Sequence, residues 1–199
     1  GLFYQMSPSQ TLSTKPVPSR KKDKTQITVL LGANATETDK LKPWVIRNAK
    51  RSRPLSKVNL ERLPVFYHGN KKAWINSVVF KKVLYEMDSY FRAKNKKILL
   101  LIKRFGGSSG YQPLTHIELA FLSPNTTSHL QPLDAEIIAS FKNYFKRKYC
   151  HHILGLFEDG KDINKEKINI KEAINYVAEA WDHVTEKTIQ NCWKKTGIL

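Results

Sequence analysis

Residues 98–103 have the sequence Ile-Leu-Leu-Leu-Ile-Lys, and this stretch decides the predicted fold. Five consecutive apolar residues are typical of a central strand that is buried on both faces, as in a parallel sheet. A second apolar segment, Ile-Glu-Leu-Ala-Phe-Leu at 117–122, is predicted to be the next strand. Helical patterns surround both segments, so the sequence indicates an α/β protein with a mixed sheet flanked by helices.

Three further strands are predicted in the first part of the chain, at 2–6, 27–33 and 43–47. The last two are apolar segments separated by a turn, and they are expected to form a hairpin. Residues 48–64 look irregular. Residues 72–93 are predicted to form a long amphipathic helix. Its expected core positions are Trp74, Val78, Val83, Met87, Tyr90 and Phe91.

The second half of the chain is predicted to be mainly helical. A helix over 133–157 carries an apolar stripe decorated with lysine and arginine. Asn169 and Glu172 form a predicted capping box that opens the next helix. Thr185 is expected to cap a short final helix, which ends at Gly197.

The composition favours one folded domain over 1–199, since 41% of the 199 residues are hydrophobic and the chain has 4 Trp, 8 Tyr and 9 Phe. Residues 7–24 are expected to be a loop rich in Pro and Ser with a basic tip. No apolar run reaches the roughly 18 residues of a membrane span, so no membrane partner is expected. The chain begins with Gly1 rather than Met, and we expect it to be a piece of a longer protein.

Basic residues dominate the charge, with 34 Lys and Arg against 17 acids and a formal net charge of +17. A surface this basic attracts polyanions, of which nucleic acid is the usual one. The residues expected to contact DNA phosphates are Arg20, Lys21, Lys22, Lys50, Arg51 and Arg53. The alternative is a solvated basic rim that touches no DNA.

The two cysteines, Cys150 and Cys192, are expected to be reduced and partly buried. The run Cys150–His151–His152 invites a zinc interpretation, but no second pair of ligands follows at zinc spacing. Consecutive helical residues also point in different directions. The sequence therefore predicts no metal site and no cofactor.

Several blocks of the sequence together resemble the catalytic domain of pogo and Tigger transposases. The most specific are 1–4, 27–31, 70–74, 97–102, 123–134 with 137–138, and 188–193. This is the mariner-like branch of the DDE superfamily, which also includes the domesticated centromere protein B-like family. The resemblance implies a ribonuclease H-like fold of the retroviral integrase superfamily, with extra C-terminal helices.

In active relatives, three carboxylates hold two divalent metals. The resemblance puts the first just before Gly1, the second at Lys103 and the third at Asp134. Lys103 replaces an anionic ligand with a cation, so we expect no catalysis and no metal. The Gly-rich stretch 106–110 also replaces the Pro and His of the family. We expect a salt bridge between Lys103 and Asp134, the alternative being that Lys103 points to solvent.

The favoured hypothesis is a catalytically inactive, transposase-derived domain of a nuclear, chromatin-associated DNA-binding protein. Such a domain would supply dimerisation, contacts with chromatin proteins or auxiliary DNA contact, and would have no small-molecule substrate. One alternative is a transcription regulator of host genes built on the same domain, and another is a platform for protein contacts alone. An active metal-dependent transposase or nuclease would need a shifted acid, for which Glu118 and Asp159 are the candidates.

Overall fold

The computed structural model describes residues 1–6, 25–36, 38–103, 113–123, 130–163 and 165–198. The chain is divided into two compact units. The first unit comprises Gly1–Gly32, Leu41–Ala73 and Ala139–Thr185, and the second Ala33–Lys40, Trp74–Ile138 and Glu186–Leu199. The sequence prediction of one domain over 1–199 stays a prediction beside this division.

The described elements are mixed α/β, as the sequence predicted. The strands are β1 (Leu2–Phe3), β2 (Gln26–Leu30), β3 (Trp44–Arg47), β4 (Phe66–Gly69), β5 (Ile98–Lys103) and β6 (Ile117–Leu122). The helices are α1 (Ser77–Ala93), α2 (Ile138–Glu158), α3 (Ile170–Asp182) and α4 (Glu186–Lys195). Within these residues, no helix is both long enough and apolar enough to cross a membrane. The finer ribonuclease H-like assignment stays a prediction.

The sheet of the first unit has the order β1-β2-β3-β4. The predicted hairpin is confirmed, because β2 and β3 pair antiparallel, with Thr28 opposite Ile46 and Leu30 opposite Trp44. β4 pairs parallel to β3 and makes the sheet mixed. The sequence analysis missed β4, because its four residues end in a glycine and carry no long apolar run.

Helix α3 contributes to the core of the first unit. Trp181 of α3 is buried, and its indole N–H donates to the carbonyl oxygen of Leu41 at 2.9 Å. The predicted capping box of α3 is confirmed. The side chain of Asn169 accepts from the backbone N–H of Glu172 at 3.3 Å, and the Glu172 carboxylate accepts from the backbone N–H of Asn169 at 2.7 Å.

In the second unit, β5 and β6 pair parallel over their full length, from Ile98 opposite Ile117 to Lys103 opposite Leu122. The parallel pairing agrees with the prediction. The prediction that β5 is buried on both faces was wrong, because the side chain of Leu99 is 58% exposed. The described part of this sheet has two strands, and α1 packs on β6 in the same unit.

The core side of α1 differs from the prediction. Val83, Met87 and Phe91 are buried as expected, whereas Trp74 and Val78 are 66% and 62% exposed. Tyr90 was also assigned wrongly to the core, and the structure exposes it. The residues buried along α1 are Val79, Phe80, Val83, Leu84, Met87, Asp88 and Phe91. Neighbouring helical residues point about 100° apart, so choosing Val78 instead of Val79 rotated the predicted stripe.

Asp88 is a carboxylate buried among these apolar residues of α1. It accepts three hydrogen bonds, from the backbone N–H and the hydroxyl of Thr115, each at 3.0 Å, and from the backbone N–H of His116 at 2.8 Å. A guanidinium nitrogen of Arg92 lies 3.7 Å from a carboxylate oxygen of Asp88. Burial alone would raise the pKa of Asp88, but these hydrogen bonds outweigh it and lower the pKa. Asp88 thereby ties α1 to the segment that enters β6.

Asp39 is a second buried carboxylate in the same unit, beside the bridge between Ala33 and Lys40. Lys94 and Lys96, just after α1, donate to its two oxygens at 2.7 and 2.8 Å. These two hydrogen bonds hold the pKa of Asp39 below its usual range. The turn around Asp39 is therefore attached to the carboxyl end of α1.

We expect Asp88→Asn to lower the free energy of unfolding by about 1–3 kcal/mol, because an amide cannot accept all the bonds that the carboxylate accepts. Urea unfolding followed by circular dichroism would measure this loss. Asp159→Asn is the control, since it removes only an exposed ion pair with Lys161, and solvent screens such pairs so that they contribute little to stability. Equal losses in the two variants would contradict the role given to Asp88.

The stability that Asp39 contributes is expected to vanish in acid. Its pKa in the folded protein lies below the ordinary value of 3.8, so this stability is present above that value and is lost as the pH falls through the folded-state pKa. The difference in unfolding free energy between wild type and Asp39→Asn should therefore shrink below about pH 4. Urea midpoints measured from neutral to acidic pH would test this. A difference that grows in acid would contradict it.

Candidate nucleic-acid interface

The carboxyl end of β5 is the position where the family resemblance expects a metal-binding acid. Lys103 is the last residue of this strand, lies opposite Leu122 of β6, and is exposed. Asp134 is also exposed, in a π-helical turn at Leu133–Ile137 that precedes α2. The second unit thus contains both side chains on its surface. Residues 104–112, with the Gly-rich stretch, and 124–129 lie outside the described part of the chain.

The predicted ion pair between Lys103 and Asp134 is wrong. Among the described residues, the ammonium nitrogen of Lys103 does not lie within 4.0 Å of a carboxylate oxygen of Asp134. The acid that pairs in this turn is instead Glu136, whose carboxylate accepts from Lys195 of α4 at 3.2 Å. The exposure of Lys103 agrees with the alternative, in which its ammonium group points to solvent.

The residues at this edge do not fit the two divalent ions that the resemblance implies. Such ions need several oxygen ligands, and the ammonium group of Lys103 repels a cation. Among the described residues, no three His, Cys, Asp or Glu side chains are grouped to hold a metal. Of the two candidate shifted acids, Glu118 is exposed on β6, and Asp159 accepts from Lys161 at 2.8 Å.

The cysteines are placed as single thiols. Cys150 is half-buried and Cys192 is buried, and both are reduced. His151 is exposed beside Cys150, whereas His152 lies 3.2 Å from the carbonyl oxygen of Glu166. Burial raises the pKa of the Cys192 thiol.

Three of the predicted DNA contacts form an exposed group in the first unit, which we call the Lys50 cluster (Lys50, Arg51 and Arg53). Lys50 and Arg51 lie between β3 and a 3-10 turn at Arg53–Leu55, and Arg53 is the first residue of that turn. The other three, Arg20, Lys21 and Lys22, lie outside the described residues. Of the six residues predicted to contact DNA, only those of the Lys50 cluster are described by the structure.

Hydrogen bonds from β4 and from the residue after it hold the backbone of this segment, which carries the Lys50 cluster, in place. The hydroxyl of Tyr67 on β4 donates to the carbonyl oxygen of Ala49 at 2.7 Å, and the N–H of Asn70 donates to the carbonyl oxygen of Arg47 at 2.9 Å. Leu55 is fully buried at the other end of the segment. The three cations thus extend from a fixed backbone.

Gly69, at the end of β4, permits the close packing of this segment. A Cβ atom at this position would lie 2.4 Å from Cα of Lys50 and 2.6 Å from its backbone nitrogen. Backbone atoms cannot move away as a flexible side chain can, so a larger residue would displace Lys50. Tyr67 and Gly69 support the cluster, and sequence reasoning missed both because it did not predict β4.

Beside the cluster, the buried Nε of Arg47 and the buried hydroxyl of Ser52 have no hydrogen-bond partner among the described residues. Burial raises the pKa of the neighbouring Tyr67, and the charge of Arg47 opposes that increase. Both atoms can donate a hydrogen bond, and because they are buried a small internal water molecule fits as their partner better than a phosphate group on the surface. The exposed cations of the Lys50 cluster are the groups that suit contact with a phosphate backbone, and such contact reads no base sequence.

Comparison with known proteins gives relatives along the whole chain. This chain is 28% identical to Major centromere autoantigen B of Homo sapiens over 199 residues, which cover 99% of this chain and 32% of that protein. It is 26% identical to Tigger transposable element-derived protein 4 of Mus musculus over 201 residues, covering 100% and 38%. It is 27% identical to Jerky protein of Mus musculus over 206 residues, covering 98% and 35%.

The chain therefore spans 32–38% of the length of these three relatives. No solved structure significantly matches it. The resemblance to Tigger-type and centromere protein B-like proteins, which the sequence blocks suggested, is confirmed. Residues 24–193 match the family described as DDE superfamily endonuclease. Because that match covers most of the chain, the protein belongs to the DDE superfamily endonuclease family.

Proposed function

We propose that the chain is a catalytically inactive, transposase-derived domain of a nuclear, chromatin-associated DNA-binding protein. The observation that carries this proposal is Lys103, an exposed cation at the carboxyl end of β5. The family resemblance assigns a metal-binding acid to that position. A lysine there removes a ligand and opposes the charge that a metal would bring.

The electrostatic cost of a metal beside Lys103 is large. Two unit charges about 4 Å apart interact by roughly 4 kcal/mol at an effective dielectric constant of about 20, and a divalent ion doubles the repulsion. The carboxylate of Asp134 does not neutralise Lys103 through an ion pair among the described residues. These charges support an inactive domain over an active phosphoryl-transfer enzyme.

Within this proposal, the domain contributes an auxiliary and sequence-independent contact with duplex DNA. The Lys50 cluster supplies three exposed cations on a fixed backbone, and the chain as a whole carries a net charge of +17. Cations on phosphates increase affinity without reading bases. Sequence recognition would then lie elsewhere in the parent protein, and dimerisation or contacts with chromatin proteins are further roles that the domain would supply.

The relatives support the cellular part of the proposal through their names. One is a centromere autoantigen and another derives from a Tigger transposable element. An association with chromatin in the nucleus is the setting that such relatives suggest for this chain. The same domain in a transcription regulator of host genes is the second candidate.

Neutralising the Lys50 cluster is expected to weaken duplex binding equally for all sequences. We would measure fluorescence anisotropy of a labelled duplex in EDTA across a salt series. If all three side chains contact phosphates, replacing each by Gln should reduce the slope of log affinity against log salt by about 2.7. The matched control replaces Lys165, Lys171 and Lys187, three exposed lysines, with Gln. Equal effects from both triple variants would contradict a localised contact.

Replacing Lys103 is expected to create metal affinity that the wild type lacks. Lys103→Asp removes the repulsion and adds an oxygen ligand, so Mn²⁺ should raise the unfolding temperature of this variant alone. Lys97→Asp, just before β5, is the control with the same charge change. Equal stabilisation of wild type and Lys103→Asp by Mn²⁺, or cleavage of DNA by the wild type, would overturn the inactive assignment.

A further inference from the structure

The side of α1 that faces solvent carries an unusual set of residues, which we call the α1 outer face. Its members follow one another at spacings of four and three along the helix. They are Val78, Lys82, Tyr85, Ser89 and Arg92, and all are exposed. This spacing places them on one side of the helix, opposite the buried stripe. The exposed ring of Trp74 lies three residues before the helix begins.

The α1 outer face combines cations with exposed apolar groups and contains no acid. Lys82 and Arg92 provide the positive charge, and the Tyr85 ring is 39% exposed between them. Neither of the two acids of the helix belongs to the face, although the buried carboxylate of Asp88 lies 3.7 Å from the guanidinium group of Arg92 and offsets part of its charge, so Lys82 is the main source of positive charge. Asp88 is buried, and Glu86 is half-buried one residue beyond Tyr85. The face therefore attracts anions.

The two exposed tyrosines of α1 differ in what covers them. The ammonium group of Lys94 lies 4.5 Å from the ring centre of Tyr90, so that ring already has a cation on its face. For Tyr85, the described residues include neither a stacked ring nor a cation. The Tyr85 ring is therefore accessible for stacking.

Several interactions make α1 a rigid support for this face. The side chain of Asn76 caps the first turn by accepting from the N–H of Val79 at 2.9 Å. Asp88 anchors the middle of the helix, and the bonds of Lys94 and Lys96 to Asp39 anchor its end. Little ordering is then needed when a ligand binds, which lowers the entropic cost of binding.

We propose that the α1 outer face, with Trp74, binds single-stranded nucleic acid. Exposed aromatic rings stack on bases of any sequence, and nearby cations meet the phosphates between them. Unpaired bases are required, because the base faces of a duplex are stacked on one another. From Val78 to Arg92 the face runs about 21 Å at 1.5 Å per residue, a length of about six stacked nucleotides at 3.4 Å each.

The order of residues favours nucleic acid over a protein partner. A helix face that docks onto protein presents an uninterrupted apolar row at helical spacing. Here Lys82 separates Val78 from Tyr85, and Ser89 and Arg92 follow. Lysine is also depleted at the centres of protein interfaces. Rings alternating with cations match the alternation of bases and phosphates instead.

This inference does not depend on duplex binding by the Lys50 cluster, and its test separates the two. Fluorescence anisotropy of the whole chain in EDTA would use equal-length labelled oligo(dT) and oligo(rU), with a labelled duplex beside them. Replacing both Trp74 and Tyr85 with Ala should weaken single-strand binding about tenfold for each ring that stacks. Duplex binding should change by less than about twofold, since it relies on charge.

The matched variant carries Trp74→Phe and Tyr85→Phe, which keep aromatic rings and should bind as the wild type does. Lys82→Gln should reduce the salt slope for single strands by about 0.7, whereas Lys97→Gln, outside the face, should leave it unchanged. Similar affinity for oligo(dT) and oligo(rU) would indicate unpaired bases in general, and a preference would identify DNA or RNA as the source.

Three outcomes would overturn the proposal. One is the absence of single-strand binding by the wild type, and another is equal binding by the wild type and the double Ala variant. The third is a double Ala variant that binds single strands normally but changes its sedimentation behaviour, which would assign the face to a protein interface. Should the double Ala variant fail to fold, Lys82→Gln with its Lys97→Gln control still decides the question.

Discussion

The buried carboxylate of Asp88 is the constraint on which the second unit depends. A charge removed from water costs several kcal/mol unless hydrogen bonds replace its hydration. Thr115 and His116 supply those bonds from the segment entering β6. The carboxylate can be buried only when α1 and this segment lie in one particular relation. Asp88 therefore fixes which residues of α1 pack inward, and hence which face solvent.

The first unit depends on close backbone packing rather than on a buried charge. Gly69 allows β4 to run against Lys50, and the Tyr67 hydroxyl holds the carbonyl of Ala49. A short basic segment between two strands would otherwise have many conformations. Charge supplies the attraction for phosphates, whereas β4 supplies the fixed positions from which the cations extend. The proposed DNA contact therefore depends both on the basic composition of this segment and on the packing of its backbone against β4.

Local patterns were sufficient for much of the fold. The hairpin of β2 and β3, the parallel pairing of β5 and β6, and the capping box at Asn169 were all predictable, because each depends on neighbouring residues or on a short apolar run. Predictions that depended on distant partners were less accurate. β4 was missed, since its four residues become a strand through pairing with β3. Leu99 was expected inside, but the described sheet leaves it exposed.

The candidate sites show the same division. The sequence by itself determined the excess of basic residues, the resemblance to DDE transposases and the lysine at position 103, because these are properties of residue identity and order. The tertiary structure alone decided that Lys103 and Asp134 form no ion pair among the described residues, and that Trp74, Val78 and Tyr85 are exposed. The physical reason is that burial and ion pairing depend on which distant segments meet. A helix with apolar residues on two sides does not specify by itself which side will be covered.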